Sequence, residues 1–209
     1  MEFIQQLYEN DLNSPEHLHM FFAIARSKNN PELTANSQPI IRKLVKRADL
    51  IPKLVNELEL ECKQRGYKFY IYASITPRDV TKAYRAFKDD LTAKEHASLF
   101  GKGDMYDILR RIDDRWYRAL MIKNAAGSPT RFVLDIDTND KEAIKYAKNQ
   151  IENISYAKHQ PEVLHTLKTR NGYHMITTPF SPDDFDSGDW PIEVKKDDPV
   201  QIGTVGFTD

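Results

Sequence analysis

The sequence predicts an α+β fold, with helices packed on a mixed, partly antiparallel sheet. Three observations lead there. In "YKFYIYASI" (67–75), Phe69, Ile71 and Ala73 alternate with Tyr70, Tyr72 and Ser74, the period-two pattern of a strand built from β-favouring residues. Two apolar runs, "EVLHTLKT" and "YHMITTPF", flank Arg170-Asn171-Gly172, and Asn-Gly is the strongest short hairpin signal. Between such runs lie segments of helical periodicity, for example Leu50, Leu54, Val55, Leu58 and Cys62 on one stripe, ended near Gly66.

The remaining elements follow in chain order. Ser14-Pro15-Glu16 combines an N-cap, a first-turn proline and a first-turn acid, which predicts a helix through "EHLHMFFAIARSK". The stretch "NNPELTANSQP" is loop-like, and divides a small N-terminal helical piece (1–38) from the main body (39–209). "IIRKLVKR" reads as a strand, and Asp49 as the cap of the helix that follows. Helices are expected from Asp79 to Leu91 and from Asp104 to Lys123, the second with Met105, Ile108, Leu109, Ile112, Trp116 and Leu120 inward. "NAAGSPT" breaks that helix, "RFVLDID" is a strand, and Asp140 to Ile151 is a helix. "SPDDF" starts a short turn, and "PIEVKK" with "VQIGTVG" reads as a last hairpin.

Composition narrows the class. The chain has 209 residues, 40% hydrophobic and 29% charged with the signs interspersed, as expected of a globular chain with a normal core. No apolar run approaches the about 20 residues of a membrane span, and "MEFIQQLYEN" has no signal-peptide pattern. Cys62 is the single cysteine, so no disulfide framework or cysteine zinc knuckle is expected, and the setting reads as cytoplasmic. The net charge of -1 conceals an asymmetry: Pro39–Lys88 holds twelve Lys/Arg against five Asp/Glu, and Ser181–Asp209 two against eight. A basic segment of this kind is either a set of solvated helix faces or a nucleic-acid surface.

Asp135 and Asp137 carry the sharpest chemical signal. At i and i+2 of a strand they share one face, with Leu134 and Ile136 on the other. Two carboxylates so close repel unless a cation lies between them, and Mg²⁺ or Mn²⁺ takes carboxylate oxygens. An EF-hand loop also begins D-x-D, but it needs Gly at its sixth position and Glu at its twelfth, where this chain has Asp140 and Tyr146. The aspartate phosphatases place their D-x-D near the N-terminus; here about two thirds of the chain precedes it.

Further candidates surround this pair. His174 follows the hairpin turn beside Lys168 and Arg170, a grouping suited to phosphate. Arg78 stands at a strand-to-helix junction with Lys82 and Arg85 one and two turns on, a second phosphate-binding pattern. A third acid is open among Glu193, Asp197 and Asp198. The remaining histidines, His17, His19, His96, His159 and His165, show no metal-ligand spacing.

A strand ending in "FVLDIDTND", then a hairpin with "TRNGYHMITTPF", then a strand with a late acid, resembles the archaeo-eukaryotic primase superfamily over about Pro39 to Val205. Similar patterns occur in small proteins of large bacteriophages. The resemblance implies an RRM-like palm fused to an α/β module, and a metal-dependent nucleotidyltransferase of primase or primase-polymerase type. It implies that Asp135 and Asp137 hold Mg²⁺ or Mn²⁺, with Asp197 among the candidates to join them, and that His174 contacts the incoming nucleoside triphosphate. Lys168, Arg170, Arg78, Lys82 and the segment Arg42–Arg47 are then expected to hold triphosphate, DNA or RNA, in the company of replication proteins. Gly172 departs from the family, which has Ser there. A nuclease or phosphohydrolase on the same acids, and a non-catalytic nucleic-acid-binding module, are the alternatives.

Overall fold

The computed structural model describes residues 1–154 and 160–207; His159 lies outside them. In chain order the elements are α1 (Glu2–Asp11), β1 (His17–Ala25), β2 (Ile40–Val45), α2 (Ile51–Arg65), β3 (Phe69–Ala73), β4 (Arg78–Asp79), α3 (Val80–Leu99), α4 (Met105–Leu109) and α5 (Ile112–Met121). Then come β5 (Phe132–Ile136), α6 (Lys141–Asn153), β6 (Val163–Lys168), β7 (Tyr173–Thr177), β8 (Ile192–Lys196) and β9 (Val200–Val205). The fold is α+β with two sheets. The first runs β2-β1-β3-β9, with β4 on β1; the second runs β6-β7-β5-β8. Every pairing among these strands is antiparallel, where a mixed sheet was expected.

The expected helix over "EHLHMFFAIARSK" is instead the central strand β1, hydrogen-bonded to β2 on one side and β3 on the other. Ser-Pro-Glu is a good helix start in isolation, but the residues after it alternate. His19, Phe21, Ala23 and Ala25 are fully buried on one face, while Phe22 and Ile24 are half-buried on the other. Two flanking ladders and a buried face outweigh a local cap. Residues 1–38 are therefore part of the main body, not a separate helical piece. The N-terminal helix is α1, whose Ile4, Leu7, Tyr8 and Asp11 form one buried stripe.

Other departures have local causes. The helix expected over Asp104–Lys123 breaks at Arg110-Arg111 into α4 and α5, and Met105, Leu109 and Ile112 are exposed rather than inward. Asp49 does not cap α2: its carboxylate is taken by Arg47 (Nη2–Oδ2 2.5 Å), and the helix opens through a 3₁₀ turn. Asp79, Asp104 and Asp140 do cap the helices after them. Gly66 ends α2 in the left-handed region (φ 72°), where glycine carries no Cβ penalty. β8 and β9 do not form a hairpin: β8 pairs with β5, β9 with β3, so the chain changes sheets at Asp197 (φ 58°).

The sheets share a core. Val133 of β5 and Ile176 of β7 pack with Phe21, Phe69, Ile71, Leu58 and Val200 of the first sheet and its helices. The other face, with Leu134, Ile136 and Met175, packs on Ala143, Ala147 and Ile151 of α6. Two buried ion pairs join the layers. Arg131, at the start of β5, holds Asp11 of α1 bidentately (2.7 and 2.9 Å); Arg78 of β4 holds Asp197 the same way (2.6 and 3.0 Å). His19 Nε2 lies 2.9 Å from Asp11 Oδ2, its ring stacks on Tyr8 at 3.7 Å, and Tyr8 donates to the Ser74 carbonyl.

This buried cluster makes stability pH-dependent. Burial lowers the His19 pKa from its ordinary 6.5 by more than Asp11 raises it. The unfolded chain thus takes up this proton before the folded chain does, so the contribution of neutral His19 is complete above 6.5 and is lost as the pH falls below it. Burial would raise the Asp11 carboxyl, but hydrogen bonds from His19 and Arg131 hold it below 3.8, which adds a second loss at lower pH. Differential scanning calorimetry should show a flat Tm above neutrality and a fall of about 2–4 °C per pH unit below it. In His19→Gln the slope between about pH 6.5 and 5 should shrink.

Candidate active site

β5 ends inside a cleft between the two sheets. Asp135 shares the face of Val133 and so points at the first sheet, while Leu134 and Ile136 point at α6. Its register neighbours are His174 on β7 and Glu193 on β8. Lys195, two residues on from Glu193, places Nζ 2.5 Å from Asp135 Oδ2, and His174 Nε2 lies 3.3 Å from Oδ1. The hydrogen bond from His174, against the opposing effect of burial and with help from Lys195, lowers the Asp135 carboxyl to about 2. Burial alone would lower Lys195; Asp135 more than offsets it and holds the ammonium above its ordinary range.

The His174 ring is fixed from both sides. The backbone amide of Gln201 on β9 donates to Nδ1 at 3.0 Å. Nδ1 is therefore an acceptor, and the ring proton sits on Nε2, facing Asp135. The β9–β3 pairing slips by one residue at Ile202, next to Gln201, a bulge of the kind that re-aims groups beside functional sites.

The cleft holds about 390 Å³. Its floor on the second sheet carries Asp135, His174 and Lys195, with Asp137 and Asp198 at the rim. The opposite wall is Phe22, Tyr70, Tyr72 and Arg26, with Lys28 beyond. Arg26 donates to the Tyr72 hydroxyl at 2.8 Å and lies over both tyrosine rings. Burial pushes the Tyr72 hydroxyl up, so it stays a neutral partner. Arg26 and Lys28 were missed in the sequence because they fall in the segment read as a helix; the tyrosines stood in plain view as the outer face of "YKFYIYASI".

Several expected site residues lie elsewhere. Arg78 is fully buried and spent on Asp197, so it is a structural pair and not a phosphate ligand. Asp197 is removed as a metal ligand by the same pair. Lys82 binds the Ala126 carbonyl and Asp79 on the surface of α3. Lys168 reaches Asn139 and covers Tyr173, and Arg170 lies over Phe207; both line a separate groove along β9 rather than flanking His174. In the basic segment, Arg42 pairs with Asp114, Lys43 with Glu61 and Arg47 with Asp49. Of the three candidate third acids, Glu193 is largely exposed and Asp198 alone lines the cleft. Burial raises the Asp198 carboxyl, with Asp135 adding to the rise while Lys195 and His174 oppose it.

The donor chemistry fits a hard cation, since Asp135, Asp137 and Asp198 bring carboxylate oxygens to one cleft. In the present geometry Lys195 stands where that cation would, and no ready-made cluster of three His, Cys, Asp or Glu ligands occurs among the described residues. A cation sharing Asp135 Oδ2 would have to displace Lys195 from that oxygen. Compared with protein-family models, with curated proteins and with solved structures, the chain finds no match in any of the three.

The departure at Gly172 has a steric reason. A Cβ there would lie 1.9 Å from the carbonyl oxygen of Ile136, at the end of β5. The 169–172 turn is closed by Thr169 N–H to Gly172 O (2.9 Å) and Gly172 N–H to Thr169 Oγ1 (3.0 Å), without positive φ at Gly172. A Gly172→Ala variant should be destabilised by about 1–3 kcal/mol in urea unfolding, because backbone must move to admit the methyl. An unchanged midpoint would show that the strand end is not packed on the turn.

Proposed function

We propose that the cleft is the active site of a metal-dependent nucleotidyltransferase of primase or primase-polymerase type, acting on nucleic acid with nucleoside triphosphates. One observation carries this: three carboxylates, three cations and an aromatic wall line the same cleft. Carboxylates suit a divalent ion, cations suit phosphates, and aromatic faces suit bases. The second sheet adds support: β5-α6-β6-β7-β8 is strung in spatial order 4-1-3-2, all antiparallel, an arrangement compatible with an RRM-like palm.

In this reading Asp135 and Asp137, with Asp198 as the third acid, hold Mg²⁺ or Mn²⁺. The ion supplies charge neutralisation at the phosphates. Lys195, released from Asp135, turns to the triphosphate. His174 fixes Asp135 through its Nε2 proton and so orients the carboxylate toward the ion. The primer 3′-hydroxyl then attacks the α-phosphate in line: the new 3′-O–P bond forms as the bond from the α-phosphorus to the bridging oxygen breaks, pyrophosphate leaves, and the hydroxyl proton passes to solvent water. A second reading has its own observation: with Lys195 seated on Asp135, the cleft is complete without metal, as a non-catalytic nucleotide- or nucleic-acid-binding module would be.

Asp135→Ala should abolish metal-dependent nucleotide incorporation on a primed template while circular dichroism stays native-like and the Tm falls by only a few degrees with loss of the His174 and Lys195 contacts. Incorporation near wild-type level would contradict the assignment. Phosphate release or strand cleavage without a template would favour a phosphohydrolase or nuclease instead. Nucleic-acid binding by the wild-type protein with no incorporation at any Mg²⁺ or Mn²⁺ concentration would favour the non-catalytic module.

A further inference from the structure

The outward face of β1 continues beyond the cleft. Phe22 and Ile24 line the cleft and also a largely apolar groove with Met20, Ile40 and Met121, in which Arg42, paired with Asp114, is the one charged residue. Ile24, Arg26 and Lys28 recur in a third depression with Ser27, Gln38 and Ile40. The three share residues, so one track leads from the acidic floor across the open face of the first sheet. Phe22 stacks on Tyr72 at 5.4 Å and is half-buried.

Charge selects the occupant. Seven Lys and Arg side chains between Arg42 and Lys82 hold a carboxylate within ion-pair distance. Among the described residues Arg26 and Lys28 hold none, as also Lys46, Lys63 and Lys68 in that stretch; what sets Arg26 and Lys28 apart is their place beside Phe22, with the Arg26 guanidinium hydrogen-bonded only to the Tyr72 hydroxyl, in outer depressions lined by no acid. Unpaired cations beside a partly exposed aromatic ring and apolar ridge suit an extended polyanion with flat apolar groups, which is single-stranded nucleic acid. A duplex hides its bases and offers nothing to Phe22.

We propose that the open face of the first sheet binds single-stranded nucleic acid, with Arg26 and Lys28 on its phosphates and Phe22 under a base, and delivers the strand to the cleft. The face needs neither metal nor nucleotide to do so, and it rests on the proposed function only in taking the cleft as the strand's destination.

Fluorescence anisotropy with labelled oligodeoxythymidylate and oligouridylate of about 20 nucleotides, without metal or nucleoside triphosphate, tests this over about 50–300 mM salt. The expected result is salt-dependent binding to at least one strand, with a blunt duplex binding more weakly. In R26Q/K28Q the slope of log affinity against log salt should fall by about 1.4, which is two phosphate contacts at about 0.7 each. F22L should weaken binding roughly tenfold and F22W should retain it, both at near wild-type Tm. Asp135→Ala should leave this binding unchanged, so loss of incorporation in that variant with binding intact isolates the failure to the catalytic reading. The proposal is overturned if neither strand binds, if the duplex binds as tightly, or if R26Q/K28Q and F22L bind like wild type. The relative affinities of the two strands separate DNA from RNA as the natural ligand.

Discussion

Two buried arginine–aspartate pairs hold the sheets in their mutual position. Arg131–Asp11 ties the start of β5 to α1, and Arg78–Asp197 ties the end of β8 to β4. Each arginine is nearly inaccessible, so each would be costly alone. Their value is positional: each buried guanidinium needs its carboxylate in place, and both pairings bring the second sheet against the first, although the one at Arg78 leaves its Nε without a hydrogen-bond partner. The Gln201–His174 hydrogen bond makes a third link, inside the cleft.

That arrangement explains the opposition of charges at the end of β5. A carboxylate at a strand end facing another sheet is expensive unless something neutralises it. In this chain Lys195 and His174 do so at once, and they lower Asp135 to about 2 in doing it. The same contacts keep Asp135 ionised at all physiological pH and oriented by a histidine of fixed tautomer, which is what the proposed metal site asks of it. Asp135 on β5 and Lys195 on β8 are neighbours only because the strands pair antiparallel in this register, with Lys195 beside Val133.

Much of this was legible in the sequence. The strand through Asp135, the shared face it implies, the helix capped by Asp140 and the hairpin before His174 follow from period, caps and turn residues, which are local signals. The misreadings share a different origin. β1 looked helical because Ser14-Pro15-Glu16 is a local cue, whereas its two pairing partners lie about twenty and fifty residues away. Losing β1 as a strand hid Arg26 and Lys28, since a wall of the cleft exists only once β1 and β3 are adjacent. Arg78 looked like a phosphate ligand because its partner, Asp197, is 119 residues distant in the chain. Lys195 carried no motif at all; only the register of β8 on β5 makes it part of the site. The i, i+3, i+4, i+7 stripe of Ile4, Leu7, Tyr8 and Asp11 was present in the sequence and would have located α1.

The most direct test of the two-pair constraint is a distance across the cleft. Nitroxide labels on cysteines introduced at Lys28 and Asn171, in a Cys62→Ala background, report the separation of the two walls by double electron–electron resonance. If the buried pairs set the cleft, the intact protein gives one narrow distance distribution, and Arg78→Met broadens or shifts it while circular dichroism stays native-like. A distribution as narrow and at the same distance in Arg78→Met as in the parent would show that the sheets hold their positions without that pair, and would contradict the constraint on which the cleft depends.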